Sequence, residues 1–321
     1  MKVLVTGATG YIGSHICKHL QQSGHHVVGL DIVRREHAMP FMHEFIHADY
    51  CSDVAQDHLF EDPPDAIIHC AGTSLVGPSM SDPAEYYINN VAKTAKFLDL
   101  IRWLPVVPYF VFSSSAAVYG SPDQALITEG APYSPLSPYG QTKSMIEIML
   151  TDFYRAYGIR SMSLRYFNAC GADLDGELGQ APGATHIIAR LLESLRDDQD
   201  FVLYGDGSHV RDYVHVADLA RAHLLAIEAL ARGDRECAAI NLGAGQGRTN
   251  QEIIEHVSAK LGAVRVNRST ARPGDPQRLV ASNDMARTVL GWQPELSDLD
   301  TIVSSAWKWY NNPSQSIDNA V

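Results

Sequence analysis

Apolar runs that end in glycine or an acid alternate with amphipathic stretches through the first half of the chain. Lys2–Thr6 (KVLVT), His26–Leu30 (HVVGL), Glu44–His47, Ala66–Cys70 (AIIHC), Tyr109–Phe112 and Arg160–Tyr166 (RSMSLRY) are short and mostly apolar, which predicts buried strands. Helical spacing lies between them. Ile16 and Leu20 continue a stripe after the first strand, with Gly24 placed to end it. Pro83 to Arg102 carries Tyr87, Val91, Ala95 and Leu98 on a helical period and predicts one helix with Asn90 on it. Tyr139 to Tyr157 predicts another, ended by Gly158. Strand and helix alternating in this way predict an α/β fold built on a doubly wound parallel sheet.

The pattern changes at Phe167. NACGADLDGELGQAPGAT is rich in glycine and acids and reads as a loop outside the core. A helix from His186 to Arg196, a strand at Phe201–Tyr204 and a Gly205-Asp206-Gly207 turn follow. A helix from Asp218 to Ala231, a further sheet strand at Ala238–Leu242 and an amphipathic helix from Asn250 to Leu261 come next. The last helix, Leu299 to Tyr310, presents Ile302, Trp307 and Trp309, and a polar tail leaves it loose at the end. These shifts divide the chain into two units. Residues 1–166, with 209–243 returning to them, form a dinucleotide-binding domain; 167–208 and 244–321 form a smaller mixed α/β C-terminal substrate domain.

The first strand runs into Gly7, Gly10 and Gly13, spaced GxxGxxG, and the second ends at Asp31. Strand, glycine turn, helix, strand and acid make a Rossmann-type dinucleotide-binding unit. The glycines admit the pyrophosphate to the backbone, where the helix N-terminus holds its charge. Asp31 bonds the adenosine ribose hydroxyls and repels a 2′-phosphate, which favours NAD, although Arg34 and Arg35 close behind it are able to accept one. Asp49 is placed for the adenine amino group, and Ala71-Gly72 are small enough to let a dinucleotide pass. Asn90 is placed to brace backbone near the site. The fifth strand delivers Ser113-Ser114-Ser115 at its carboxyl end, where open α/β sheets bind ligands. Tyr139 and Lys143 then stand four residues apart on one helix face. An ammonium close to a phenol favours phenolate and makes tyrosine a usable base.

Of the 321 residues, 45% are hydrophobic and 19% charged, the range of an ordinary globular enzyme. A net charge of −12 argues against nucleic acid or an anionic membrane as a partner. The five cysteines are scattered and never form CxxC, which suits reduced thiols in a cytoplasm. No secretory pattern and no run of ~18 to 20 apolar residues suggests export or a membrane span. The fourteen histidines form no HxxxH or HExxH cluster, so no metal is expected.

GATGYIG, SSSAAVYG, YGQTK, LRYFNACGAD and HVRDYVHVADLA, in this order over essentially the whole chain, resemble the extended short-chain dehydrogenase/reductases. Within them the likeness is to the UDP-galactose (UDP-glucose) 4-epimerase branch, to which YFN-x-x-GAD is the more specific motif. The resemblance implies that Tyr139 takes the proton from the sugar 4-hydroxyl, that Lys143 bonds the nicotinamide ribose and lowers the Tyr139 pKa, and that Ser115 orients or shuttles the proton. It implies cofactor contacts from Gly7, Gly10, Tyr11, Ile12, Gly13, Asp31, Asp49, Tyr50, Ala71, Gly72, Asn90, Ser113, Tyr139, Lys143 and Tyr166. For the nucleotide sugar it implies Ser115, Tyr139, Phe167, Asn168, His186, Ile187, Val202, Tyr204, Arg211, Arg272 and Asp275, with the two arginines facing the diphosphate.

The implied reaction moves a hydride from sugar carbon 4 to bound NAD, turns the transient 4-ketone within the pocket, and returns the hydride to its other face. The anchor is then the UDP group. Members of the family often pair through a helix bundle, so a homodimer through the Pro83–Arg102 and Tyr139–Tyr157 helices is expected. The chain also departs from its relatives. Ser74 stands where many carry lysine near the cofactor. Leu279 stands where a bulky tyrosine favours plain hexoses and a small residue admits N-acetyl sugars, so the choice among hexose, N-acetylhexosamine, uronate and pentose stays open. Dehydratases of the family place an acid after the strand-end serine or threonine, whereas here Ala116 and Ala117 follow. A reductase and a non-catalytic NAD-binding protein are the remaining alternatives.

Overall fold

The computed structural model describes residues 1–183, 185–270 and 276–312. The first half holds strands β1 (Lys2–Thr6), β2 (His26–Asp31), β3 (Glu44–His47), β4 (Ala66–His69), β5 (Tyr109–Ser115) and β6 (Ser161–Tyr166). Its helices are α1 (Tyr11–Gln22), α2 (Asp53–Glu61), α3 (Val76–Ser81), α4 (Pro83–Tyr86), α5 (Lys93–Ile101) and α6 (Pro138–Tyr157). The second half adds β7 (Asn168–Cys170), β8 (Phe201–Tyr204), β9 (Val210–His215), β10 (Cys237–Leu242), β11 (Gly247–Thr249), β12 (Val266–Ser269) and β13 (Arg278–Leu279). Its helices are α7 (Ile187–Arg196), α8 (Val216–Arg232), α9 (Asn250–Leu261), α10 (Asp284–Leu290) and α11 (Leu299–Tyr310).

Seven parallel strands form the main sheet in the order β10-β6-β5-β4-β1-β2-β3. Alternate side chains leave its two faces in opposite directions. Val3, Val5, Ala66, Ile68, Val111, Met162 and Leu164 join one core with α1 and α8. Leu4, Val28, Ile67, Phe110 and Phe112 join the other with α2, α5 and α6. Strand order reverses between β1 and β4, which opens a crevice at their carboxyl ends, the position where such sheets take ligands.

A second body sits over that edge. In it β8 pairs with β12, β9 pairs with β7, β11 and β13, and α7, α9 and α11 close over Leu191, Phe201, Ile253 and Trp309. The chain also returns to the first core late: Ala286, Leu290 and Trp292 pack there, and Trp292 Nε1 donates to the Asp218 carbonyl at 2.8 Å.

Two sequence expectations need correction. Pro83 to Arg102 is not one regular helix, because a π turn at Tyr87–Ala92 separates α4 from α5. The wider turn rotates the stripe, so Tyr86, Asn90, Thr94, Phe97 and Leu98 face inward while Tyr87 is 37% exposed. The stretch after Phe167 is not all surface loop. β7 runs beside β9, and Cys170, Ala172 and Leu178 are core residues that glycine and acidic neighbours hid from the hydropathy pattern.

Candidate active site

The glycine turn is closed too tightly for any other residue at two positions. Gly7 has φ +67°, and a Cβ there would lie 2.8 Å from the Ala71 nitrogen. A Cβ on Gly13 would lie 2.1 Å from the Gly7 carbonyl oxygen. Helix α1 starts at Tyr11 behind Gly10, with no side chain capping its N-terminal N–H groups. That leaves a cradle of backbone donors suited to a pyrophosphate. Asp31 ends β2 with Oδ2 accepting from the Thr9 N–H at 3.0 Å and Oδ1 from the Val33 N–H at 3.1 Å. Its carboxylate is fixed beside the turn.

Arg34 pairs with Glu36 at 2.7 Å and stacks over Phe45, and Arg35 donates to the Thr9 carbonyl at 3.3 Å. Both expected phosphate acceptors therefore have protein partners. Asp49 receives the Cys51 N–H at 2.9 Å and the Lys93 ammonium at 2.7 Å. Tyr50 packs edge-on to His69 and donates to the Asn89 carbonyl at 2.7 Å. Tyr11 reaches the second body, donating to the Gly171 carbonyl at 2.7 Å, while Ile12 packs on the first core.

Helix α6 is aimed by its first turn. Ser137 caps it, accepting the Gly140 N–H at 3.1 Å, and Pro138 supplies a preset φ. A Cβ on Gly140 would lie 2.5 Å from the Ala117 carbonyl oxygen, so only glycine lets the helix sit this close to the end of β5. Tyr139 and Ser115 are thereby brought together. Lys143 is buried, donates to the Ser113 carbonyl at 2.7 Å, and lies 5.7 Å from the centre of the Tyr139 ring. Burial lowers its pKa to about 8.

The tyrosine behaves differently from the sequence expectation. Burial raises the Tyr139 pKa and Tyr86 nearby adds to the rise, while a hydrogen bond from Ser115 opposes it. Lys143 donates to the Ser113 carbonyl and meets the face of the Tyr139 ring.

Asn90 is the brace the sequence pointed to. Its Oδ1 accepts the Thr73 N–H at 2.8 Å, and its Nδ2 donates to the Thr73 carbonyl at 2.9 Å and to Thr142 Oγ1 at 3.1 Å. The π turn presents this amide to both the Gly72 loop and α6. A Cβ on Gly72 would lie 2.8 Å from Asn90 Oδ1.

Ser113 Oγ lies 2.7 Å from the Tyr166 hydroxyl and 2.9 Å from Cys70 Sγ, and Tyr166 also meets His223 Nε2. One turn beyond Lys143, Glu147 accepts from Arg165 at 2.6 Å, from Tyr133 at 2.8 Å and from Ser114. Sequence reasoning missed Cys70, Glu147, Arg165 and His223 as partners of the site. Their one signal was position, at strand ends and at helical spacing from Lys143.

On the substrate side, Phe167 is buried with Ala116, Val118 and Tyr119, and half-buried Leu279 packs on the same cluster. Asn168 donates to the Asp212 carbonyl at 3.0 Å. Asp212 is wholly buried, accepting from the N–H groups of Ala244, Gly245 and Ala281 at 2.6, 3.0 and 3.0 Å. Burial pushes its carboxyl up to about 6. It ties β9 to the loop after β10 and so places Arg211, which pairs in register with Leu279. His186 and Ile187 open α7, and Val202 and Tyr204 lie on β8. Arg190, which the sequence did not single out, has its guanidinium 5.2 Å from the Phe201 ring and 5.9 Å from that of Tyr204. Arg272 and Asp275 lie outside the described residues. The acidic group Asp173, Asp175 and Glu177 holds Lys18 Nζ at 2.8, 3.4 and 2.6 Å, which makes it an ion-pair cluster between the two bodies.

Comparison with known proteins agrees with this arrangement. The model of the NAD dependent epimerase/dehydratase family matches residues 3–243. A UDP-glucose 4-epimerase of Halalkalibacterium halodurans is 41% identical, over 97% of this chain and 96% of its own. The crystal structure of UDP-glucose 4-epimerase from Brucella ovis in complex with NAD superposes with a TM-score of 0.90 at 39% identity, covering 95% of this chain and 97% of the other. That of Stenotrophomonas maltophila, with bound NAD and formylated UDP-arabinopyranose, gives 0.92 at 32% identity over 98% and 99%.

Proposed function

Because the chain belongs to the NAD dependent epimerase/dehydratase family, we propose that it interconverts UDP-glucose and UDP-galactose by inverting carbon 4 of the sugar. It is an NAD-dependent UDP-sugar 4-epimerase, an isomerase. The observation that carries the reading is the convergence of Ser115, Tyr139 and Lys143 beside the glycine cradle, at the carboxyl ends of β4 and β5.

The cradle fits the cofactor, since no side chain caps the N–H groups at the start of α1, backbone contacts that only glycine allows at positions 7 and 13 hold the turn, and Asp31 stands where a ribose is read. NAD, held by the glycine turn and Asp31, would supply a reversible hydride acceptor. The protein does the rest. Tyr139 receives the proton of the 4-hydroxyl and returns it, with Ser115 holding the oxygen in line. Lys143 is kept beside it by Ser113, and an ammonium so placed stabilises the phenolate once the site is filled. Asn168, Arg211, Arg272 and Asp275 hold the nucleotide, Arg211 and Arg272 at the diphosphate, while the hexose stays free enough to turn. Ala116 and Ala117 offer no acid to expel water, which favours epimerisation over dehydration.

The cofactor lies on residues 1–166 and 209–243 and the UDP-sugar against 167–208 and 244–321. Leu279, set beside Phe167, limits the room at the sugar and favours plain hexoses over N-acetyl sugars. Among the described residues no helix is long and apolar enough to cross a membrane, and the scattered thiols suit a cytoplasmic protein. The chain pairs as a homodimer through the outer faces of α5 and α6, where Trp103 just past α5 and Ile148 and Tyr157 on α6 are 64%, 50% and 46% exposed.

Purified protein incubated with UDP-galactose, UDP-N-acetylgalactosamine and UDP-arabinose tests the reading by separation of the products. Epimer should form fastest from UDP-galactose without added cofactor. No epimer from any UDP-sugar, even with NAD supplied, would sink it. Tyr139→Phe should lower kcat by about 10²- to 10⁴-fold, and near-normal turnover in that variant would remove Tyr139 from its role.

A further inference from the structure

Cys70, Ser113, Tyr166 and His223 belong to the ends of three adjacent strands and to α8, and they touch one another in a line beneath the site. Valence gives that line a direction. His223 Nδ1 lies 2.8 Å from the Leu219 carbonyl, which can only accept, so Nδ1 carries the ring proton. The ring is wholly buried and burial lowers its pKa to about 4, which leaves it neutral and makes Nε2 an acceptor. Tyr166 has one proton and gives it to Nε2. Its oxygen therefore accepts the Ser113 hydroxyl, 2.7 Å away. Ser113 has then spent its proton, so its oxygen accepts the Cys70 thiol at 2.9 Å, a thiol that burial keeps protonated by raising it to about 11. Every proton points the same way, from Cys70 through Ser113 and Tyr166 to His223 and the Leu219 carbonyl, and no member lacks a partner.

The carbonyl of the same Ser113 receives the Lys143 ammonium at 2.7 Å. We propose that His223 is a positioning residue for Lys143: by accepting the Tyr166 proton it sets the direction of the line and locks Ser113 at the end of β5, whose carbonyl then fixes the ammonium. His223 acts only through this line, being enclosed between α8 and the sheet. An acceptor is required at Nε2. Were a donor there instead, Tyr166 would turn its proton to Ser113 and Ser113 to the sulfur, reversing each bond and shifting each oxygen. The inference rests on the reading of Tyr139 and Lys143 as the catalytic pair.

Two measurements on the full-length protein test it. Side-chain ¹⁵N NMR should find His223 in the Nδ1–H form at neutral pH, and an Nε2–H form would overturn the assignment whatever the enzyme does. With wild-type protein that epimerises, His223→Leu should lower kcat about tenfold at unchanged KM and displace the pH profile of kcat, while His223→Gln, whose amide supplies both an acceptor and a donor, restores both. Tyr166→Phe and the double variant Tyr166→Phe/His223→Leu should fall no further than His223→Leu, because one line is broken in all three; if His223→Leu does not fold, Tyr166→Phe carries the test, with the same loss of kcat and shifted pH profile expected against wild type and His223→Gln. A variant that melts earlier yet keeps the wild-type kcat and pH profile below its Tm would show a role in stability alone and overturn the proposal. A wild-type protein that turns over no UDP-sugar would instead fail the catalytic reading and leave the tautomer result to stand by itself.

Discussion

Glu147 and Arg165 meet at 2.6 Å with side chains only 3% and 4% exposed. The pair joins α6 to β6 one turn past Lys143, and Arg165 also reaches the Tyr119 hydroxyl at 2.6 Å. A buried pair adds little over an apolar one, but one partner alone is a buried charge without compensation. Glu147→Ala should cost about 3–5 kcal/mol of stability, read as a lower urea midpoint. Glu147→Met with Arg165→Met together should recover part of that loss.

The glycine cradle makes a separate prediction. A methyl group at position 13 would stand 2.1 Å from the Gly7 carbonyl oxygen, so the turn must open for it. Gly13→Ala should purify with less than about a tenth of the wild-type NAD content, measured by chromatography of nucleotide released on denaturation. Gly24→Ala faces open space but carries φ +80°; it should lose stability and keep its NAD.

Leu279 packs on the same cluster as Phe167. Leu279→Ala should raise kcat/KM for UDP-N-acetylgalactosamine relative to UDP-galactose by about tenfold, the range one side chain's volume commands in an apolar pocket. Parallel assays of the two substrates check it, and an unchanged ratio would move the specificity elsewhere.

Acid should unfold the protein early. Burial lowers His15, His215 and His223 to about 4 and His69 to about 3. Each ring is neutral in the fold, whereas in the unfolded chain it takes a proton near 6.5. The unfolded state therefore binds more protons below that value, and acid favours it. The stability from these rings is complete above pH 6.5 and drains away as pH falls through about 4, and through about 3 for His69. Tm measured from pH 8 to pH 4 should drop across that window, and less steeply in His69→Gln, whose partners Thr6 and Thr94 still find hydrogen bonds.

Much was legible in the residues alone. Apolar runs located all seven strands of the main sheet, most plainly β1, β4 and β6, whose burial on both faces leaves an apolar run that no surface pressure dilutes. The glycine spacing, Asp31 and the Tyr139–Lys143 interval were local, and local geometry is what sequence spacing encodes. The helix at Asn250–Leu261 announced itself by its stripe. The short elements were not legible. α2, α3, α10 and β13 are too brief for a period to show, and β7 is held by its neighbour β9 and not by its own composition.

By itself, then, the sequence determined the sheet, the cofactor turn and the identity of the groups able to move a proton. Tertiary structure decided how those groups behave. It turned Lys143 onto Ser113 instead of the phenol oxygen, rotated Asn90 inward through a π turn, and joined half-buried Cys70 to buried Tyr166 and His223 in one directed line. The physical reason is that charge state and proton direction depend on desolvation and on partners far apart in the chain. His223 is 57 residues from Tyr166 and Tyr166 is 53 from Ser113. Only folding brings them within reach of a hydrogen bond.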